Sequence, residues 1–225
     1  MKKLAEYAEV DNVSLKKHIY FVIETIFAAT RLSGPFVEEF LSYLLKNVPV
    51  AADTRSIKGE GELMIAGYCL AVAQVAIHYK KVSGKEVVKY LPTLVSLLSE
   101  FLISGIYRIK MGAFTAIKNL ILHTLEDKYF KQEVGVNENE LPDLDFDLLT
   151  FRDESTKIHP IKKISLMLQY CLNSRFESCY TEVLKLITAF IHVGGKKTIN
   201  FGGIDILTKL GNLDIKKESY RAWTD

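Results

Sequence analysis

The chain is short of the residues that mark a disulfide-stabilised or secreted protein. Its 225 residues include only three cysteines, Cys69, Cys171 and Cys179, and this odd, sparse number is not typical of a disulfide framework. Residues 1–13 contain two lysines but no long apolar core, so they do not resemble a signal peptide. These absences favour a reducing compartment, the cytosol or the nucleus, and core packing for Cys171 and Cys179.

The sequence also lacks an uninterrupted apolar run of about 20 residues, the length that a membrane-spanning helix needs. The longest charge-free apolar stretch covers residues 63–79 and contains Gly67, Gln74 and His78. A helix buried between other helices explains this stretch better than a membrane span does. We therefore expect no membrane association.

Side chains that could carry catalysis or bind a metal are scattered along the chain. The five histidines lie far apart, and none has cysteine or carboxylate neighbours at the spacing of metal ligands. The glycine–lysine run at 194–197 lacks the spacing and the preceding strand of a phosphate-binding loop, so it predicts a glycine helix cap. We expect no enzymatic activity, no cofactor, no metal site and no small-molecule substrate.

One segment is short of positive charge. Residues 133–154 hold eight acidic residues and one basic residue, whereas the whole chain has a net charge of +2, so the rest of the chain is basic. Asp143, Asp145 and Asp147 alternate as in a calcium loop, but apolar residues separate them and the required glycine and final glutamate are missing. We interpret 132–157 as a solvated acidic insertion; the alternative is a strip that docks a basic partner.

The sequence also lacks runs of alternating apolar and polar residues bounded by turn residues, the pattern of a β-sheet. Its apolar residues instead recur at the three- and four-residue spacing of helices. Ser14 is the expected N-cap of the first helix, Pro35 suits the first turn of the second, and Pro92 predicts a kink or a late start. About eight helices are predicted, within residues 13–32, 36–45, 62–81, 87–103, 106–129, 158–173, 176–193 and 204–211.

Helix pairs recur about every 40 to 50 residues, the spacing of HEAT and armadillo repeats. Each pair has apolar residues on both sides, so only stacking against neighbouring pairs buries them. The predicted fold is therefore all-α, a HEAT/armadillo-like α-solenoid of antiparallel helix pairs, although a compact helical bundle is also compatible with the pattern. Residues 1–131 and 158–225 would form one continuous solenoid, with the acidic insertion at 132–157 between them.

Basic residues recur in pairs that could contact a nucleic acid. If several pairs lie on one edge of the stack, they would form a track for the RNA backbone; if scattered, they are ordinary solvated surface, which is the commoner case. Arg175, between two predicted helices, could contact phosphate or a partner, or merely favour a helix dipole. The candidate contacts are Arg175, Lys162, Lys163, Lys196, Lys197, Lys216 and Lys217.

Residues 158–213 carry a more specific pattern. A helix ends in a leucine and a Ser-Arg-Phe turn, the next helix combines an aromatic residue with a Val-Leu pair and ends at glycine, and a Leu-Gly-Asn-Leu element follows. This order resembles the ribosomal RNA processing protein twelve family. The residues that match are Leu172, Ser174, Arg175, Phe176, Tyr180, Val183, Leu184, Phe190, Gly194, Leu210, Gly211, Asn212 and Leu213.

The resemblance implies a function. Members of the family are HEAT-repeat scaffolds of the nucleolus and nucleus that associate with small-subunit precursor particles and contact pre-ribosomal RNA and ribosome assembly proteins. Because they are much longer than this chain, the chain would be a portion of a member or a strongly reduced one. Its expected role is that of a hetero-complex component in ribosome biogenesis; the alternative is a HEAT-repeat adaptor in nuclear transport or trafficking.

Overall fold

The computed structural model describes residues 12–49, 59–125, 160–172 and 174–212. This part of the chain contains eight α-helices and no strand, which confirms the predicted all-α class. The helices are α1 (Val13–Ala29), α2 (Gly34–Lys46), α3 (Glu60–Ser83), α4 (Leu91–Leu102), α5 (Tyr107–Thr124), α6 (Pro160–Cys171), α7 (Tyr180–Gly194) and α8 (Gly203–Gly211). Asp143, Asp145, Asp147 and the insertion that contains them lie outside the described residues.

The helix ends follow local chemistry. Asn12 caps α1, its side chain accepting a hydrogen bond from the Leu15 amide at 3.0 Å, so the predicted cap at Ser14 was wrong by two residues. Pro35 lies in the first turn of α2, where its missing amide hydrogen costs nothing. Gly195 forms the C-cap of α7 with φ 53°, and its amide donates to the Ile191 carbonyl, as the predicted glycine cap requires.

Two helices, α4 and α7, begin later than predicted because 3-10 turns take their amino ends. The turn Gly84–Tyr90 precedes α4, which begins at Leu91. The turns Ser174–Cys179 and Gly195–Phe201 flank α7 on both sides. Pro92 therefore marks a late helix start, one of the two predicted outcomes, since proline suits the first helical turn.

The helices pack in two rows, because helices two apart in the chain lie side by side. In the first row α1 packs against α3, α3 against α5, and α5 against α7. In the second row α4 packs against α6, and α6 packs against α8. The rows contact each other through α2 on α3, α4 on α5, and α6 on α7.

The hydrophobic core lies between the rows. Its largest fully buried aromatic side chains come from the first-row helices α1, α3, α5 and α7 and from the turn before α7. Burial of this area is the main source of stability, at about 25 cal/mol for each Å² of apolar surface. These residues are Phe27, Tyr68, Tyr79, Phe114, Phe176 and Phe190.

Helix α3 is the centre of the first row. Among the described helices it is long and apolar enough to cross a membrane, by length and composition only, and 67% of that apolar window is buried in the structure. Helices α1, α2 and α5 cover it. A core helix, as the sequence predicts for residues 63–79, accounts for this burial.

Candidate nucleic-acid interface

Helices α1 and α3 run in the same direction. Near their starts, Lys17 Nζ lies 3.2 Å from Glu60 Oε1. Near their ends, the Leu32 amide donates to Nε2 of the buried His78 at 3.2 Å, while His78 Nδ1 lies 2.9 Å from the Phe27 carbonyl oxygen. Because an amide can only donate, Nε2 must be the unprotonated nitrogen of the ring. The histidine thus holds the turn after α1 against the end of α3.

Helix α5 runs in the same direction as α1 and α3. A Cβ atom built on Gly112 would lie 2.7 Å from Ala66 Cα, and one built on Gly59 would lie 3.3 Å from the Arg108 guanidinium. The start of α5 therefore lies beside the start of α3. Among the glycines that the structure describes, Gly112 makes the closest approach to another helix. Small residues on both helices, Gly112 and Ala66, allow the two backbones to come this close.

The start of α7 lies beside the start of α5. Phe176, in the turn immediately before α7, packs edge-on against Phe114 of α5 with ring centroids 6.2 Å apart. The Lys110 ammonium lies 5.0 Å from the centroid of the same ring. The four helices of the first row therefore begin along one edge of the fold, the amino edge, and end along the opposite one, the carboxyl edge.

Basic residues collect at the carboxyl edge. Arg31 follows α1, Lys81 lies in the last turn of α3, and Lys196 follows α7; all three are exposed. Partial negative charge at helix carboxyl ends favours cations there, so parallel helices bring several cations to one edge. Among the described residues, the lysines and the arginine at the ends of the first-row helices are Arg31, Lys80, Lys81, Lys196 and Lys197, and His123 and His192 lie there as well.

Lys162 lies in the second row of helices. It lies in the first turn of α6 and is partly exposed. Gly202, which follows the end of α7, packs against the same helix, because a Cβ atom there would lie 2.9 Å from Ser165 Oγ. The same Cβ atom would lie 2.9 Å from Gln169 Nε2, so Gly202 lies against the middle and the last turn of α6.

The other predicted contacts are placed differently. Lys163 is only 7% exposed, and its ammonium donates to Ser96 Oγ on α4. Arg175 lies in the turn before α7, toward the amino edge. Lys216 and Lys217 lie outside the described residues. Of the predicted set, the structure places Lys196 and Lys197 at the carboxyl edge, directly after α7.

One further base at the carboxyl edge is already paired. Lys89, in the turn after α3, lies 2.5 Å from Glu38 Oε1 on α2, and the Tyr90 hydroxyl donates to the same oxygen at 2.9 Å. Hydrogen bonds from Lys89, Tyr90 and Tyr79 hold the pKa of Glu38 below its usual value, and the bond to Glu38 raises the pKa of Lys89. Glu38 thus offsets the charge of Lys89. This pairing makes Lys89 a weaker candidate for phosphate contact.

The described residues do not assemble a metal or nucleophile site. No group of three or more His, Cys, Asp and Glu side chains that could hold a metal ion occurs among them. All three cysteines are buried, and burial raises the pKa of the Cys69 and Cys171 thiols. A thiol is reactive as its thiolate, so these two are poor nucleophiles in the folded chain.

The whole chain was also compared with known proteins. Comparison with protein-family models, with curated proteins and with solved structures finds no match. The chain's own residues are what indicate a function: a row of parallel helices whose carboxyl ends carry exposed bases.

Proposed function

We propose that this chain is a non-enzymatic scaffold of ribosome biogenesis, a HEAT-type α-solenoid that binds pre-ribosomal RNA and assembly factors of the small-subunit precursor in the nucleolus and nucleus. The family resemblance of residues 158–213 supports this proposal. The basic carboxyl edge supports its RNA-binding part independently of the resemblance.

The helix packing supports the solenoid part of the proposal. In stacked helix pairs, each helix packs beside the helix two positions away in the chain, and equivalent helices run in the same direction. The row α1, α3, α5 and α7 has both properties. Such a body exposes long edges and helix faces, which suit the holding of large partners.

The single observation that carries RNA binding is the collection of exposed bases at the carboxyl edge. A helix dipole explains why each cation lies near a helix end, at about 0.3–1 kcal/mol each. The parallel direction of four helices is a separate fact that brings these cations together. A line of cations neutralises successive phosphates and releases counterions, so the binding it produces weakens with salt.

The test is a salt titration of RNA binding with two matched double variants. Lys81→Gln with Lys196→Gln removes two exposed charges from the carboxyl edge. The control, Lys46→Gln with Lys185→Gln, removes two exposed charges away from the carboxyl edge, so both proteins have the same net charge. Binding of a structured RNA hairpin is measured by fluorescence anisotropy from about 50 to 200 mM salt, a range in which phosphate contacts respond strongly.

We expect the carboxyl-edge variant to bind more weakly and to reduce the slope of log affinity against log salt by about 1 to 2, since each lost phosphate contact contributes roughly 0.9 on duplex nucleic acid. The control variant should retain most of the affinity. Equal losses in the two variants would mean that only net charge matters, and the carboxyl edge would then not be the interface. Co-sedimentation with transport receptors instead of pre-ribosomes would favour the adaptor alternative.

A further inference from the structure

The first row of helices has an outer face, the side that turns away from α2 and α4. On α3, Ala66 contacts Gly112 of α5, and Gly67 faces Tyr20 of α1 with its built Cβ atom 3.5 Å from Tyr20 Cβ. On the opposite side of α3, the Tyr68 hydroxyl donates to the Leu44 carbonyl of α2 at 2.7 Å. Residues three and four positions from Ala66 and Gly67 share their face. The outer stripe of α3 is therefore Leu63, Ala66, Gly67, Leu70 and Gln74.

This stripe is apolar and accessible. It contains no charged residue, and Leu63 is 43% exposed, while Leu70 is partly exposed. The neighbouring helices add Phe21 of α1, 66% exposed, and Leu122 of α5, 39% exposed. Several exposed apolar side chains on one face of neighbouring helices are a candidate site for another protein segment.

The two sides of the stripe differ in charge. Helix α5 has no acidic residue, and it carries Arg108, Lys110 and Lys118. Arg108 and Lys118 lie three and seven positions from the partly exposed Met111, and therefore share the outward side of α5 with it. On the other side, α1 contributes Glu24 and Lys17, and Lys17 is paired with Glu60 of α3, so that side carries charges of both signs. A ligand that lies on α3 thus meets positive charge along its α5 side.

We propose that the outer face binds an amphipathic α-helix of a protein partner, with its apolar stripe on Leu63 and Leu70 and acidic residues along the side that faces α5. A helix in a groove recognises its target through apolar positions at three- and four-residue spacing, which match the outer stripe of α3. Complementary charge sets the direction and register of the bound helix. This inference names the chemistry of a partner of the proposed scaffold, and the RNA measurements above do not depend on it.

The probe is a synthetic helical peptide of about 18 residues, enough for a helix of about 27 Å at 1.5 Å per residue. It has leucines at three- and four-residue spacing and glutamates along one side. A second peptide has lysines in place of the glutamates. Binding of both to the full chain is measured by fluorescence anisotropy, and helix content of every protein variant is checked by circular dichroism.

Two pairs of variants test the site. Leu63→Glu changes the apolar stripe, and its control Leu15→Glu changes a leucine of similar exposure, 38%, on a side of α1 away from Tyr20. Lys118→Glu changes the charged side, and its control Lys46→Glu changes an exposed lysine at the end of α2, in the other row.

We expect the acidic peptide to bind the chain and the lysine peptide to bind at least about tenfold more weakly. Leu63→Glu and Lys118→Glu should each weaken the acidic peptide about tenfold or more, the scale of a residue central to an interface, while both controls bind as the unmodified chain does. Absence of binding, equal binding of the two peptides, or equal losses in variants and controls would each overturn the inference. Because the RNA hairpin is measured separately with the carboxyl-edge variants, failure here is distinguishable from failure of the proposed function.

Discussion

At the scale of single residues, the hydrogen-bonded carboxylate of Glu38 makes a contribution to folding stability that depends on pH. The hydrogen bonds to Glu38 keep its pKa below the usual value of 4.5 in the folded chain. Ionised Glu38 therefore stabilises the fold above pH 4.5, and this contribution is lost as the pH falls from 4.5 through the lowered pKa. We predict that Glu38→Gln reduces the stability at neutral pH, and that the difference shrinks as the solution is acidified below pH 4.5.

Urea unfolding at several pH values measures this difference. Glu39→Gln, which changes the neighbouring exposed carboxylate, is the control and should alter stability little at any pH. A loss of stability in Glu38→Gln that stays constant as the pH falls below 4.5 would contradict the assigned hydrogen bonds.

A second prediction at this scale concerns the replacement of Gly112. Alanine there would place its Cβ atom 2.7 Å from Ala66 Cα, a distance that forces α3 and α5 apart. Overpacking costs about 1–3 kcal/mol, which exceeds the gain of about 1 kcal/mol from replacing glycine by alanine in a helix. We expect Gly112→Ala to lower the free energy of unfolding in urea or thermal denaturation.

The matched control is Gly67→Ala on α3. Its Cβ atom would make an ordinary contact of 3.5 Å with Tyr20 Cβ, so this change should be neutral or stabilising. If both alanine variants behaved alike, the close approach of α3 and α5 would be disproved.

At the scale of helices and turns, Phe176 joins three elements. It is 2% exposed, packs against Phe114 of α5 and Tyr170 of α6, and begins the connection into α7. We predict that Phe176→Ala lowers the free energy of unfolding by about 3–5 kcal/mol, the cost of removing a buried aromatic ring. Tyr107→Ala, which removes a ring that is 56% exposed, should cost far less in the same thermal and urea measurements.

The same scale shows how far sequence alone could predict this fold. Apolar residues at three- and four-residue spacing in α1 and α5 predicted the helices, because burial of one face imposes that period. The 3-10 turns were missed, since a turn such as Ser174–Cys179 spans only six residues and leaves no distinct period. The cap at Asn12 was missed because Ser14 is an equally suitable residue type, and only the hydrogen bond to the Leu15 amide distinguishes them.

The candidate interface was less predictable than the helices. Whether Lys81 and Lys196 share an edge depends on the direction of α3 and α7, which are far apart in the chain and have no local signal in common. Adjacent residues also diverge: Lys162 is partly exposed, whereas Lys163 turns inward to Ser96. A helix rotates about 100° per residue, so one of two neighbouring lysines can face the core even though both are charged.

At the scale of the whole molecule, two surfaces divide the proposed work. We propose that the carboxyl edge, with Arg31, Lys81 and Lys196, binds RNA and that the outer face, with Leu63 and Leu70, binds a protein helix. Both surfaces are formed by helices of the first row. A scaffold built in this way would hold an RNA and a protein in a fixed relative position without any chemical step.

The most direct test of the scaffold is to purify the tagged chain from cells and sequence the RNA that co-purifies with it. The account predicts enrichment of small-subunit ribosomal RNA precursors, and loss of that enrichment in the Lys81→Gln, Lys196→Gln variant but not in the Lys46→Gln, Lys185→Gln control. Recovery of folded chain without small-subunit precursors would contradict it.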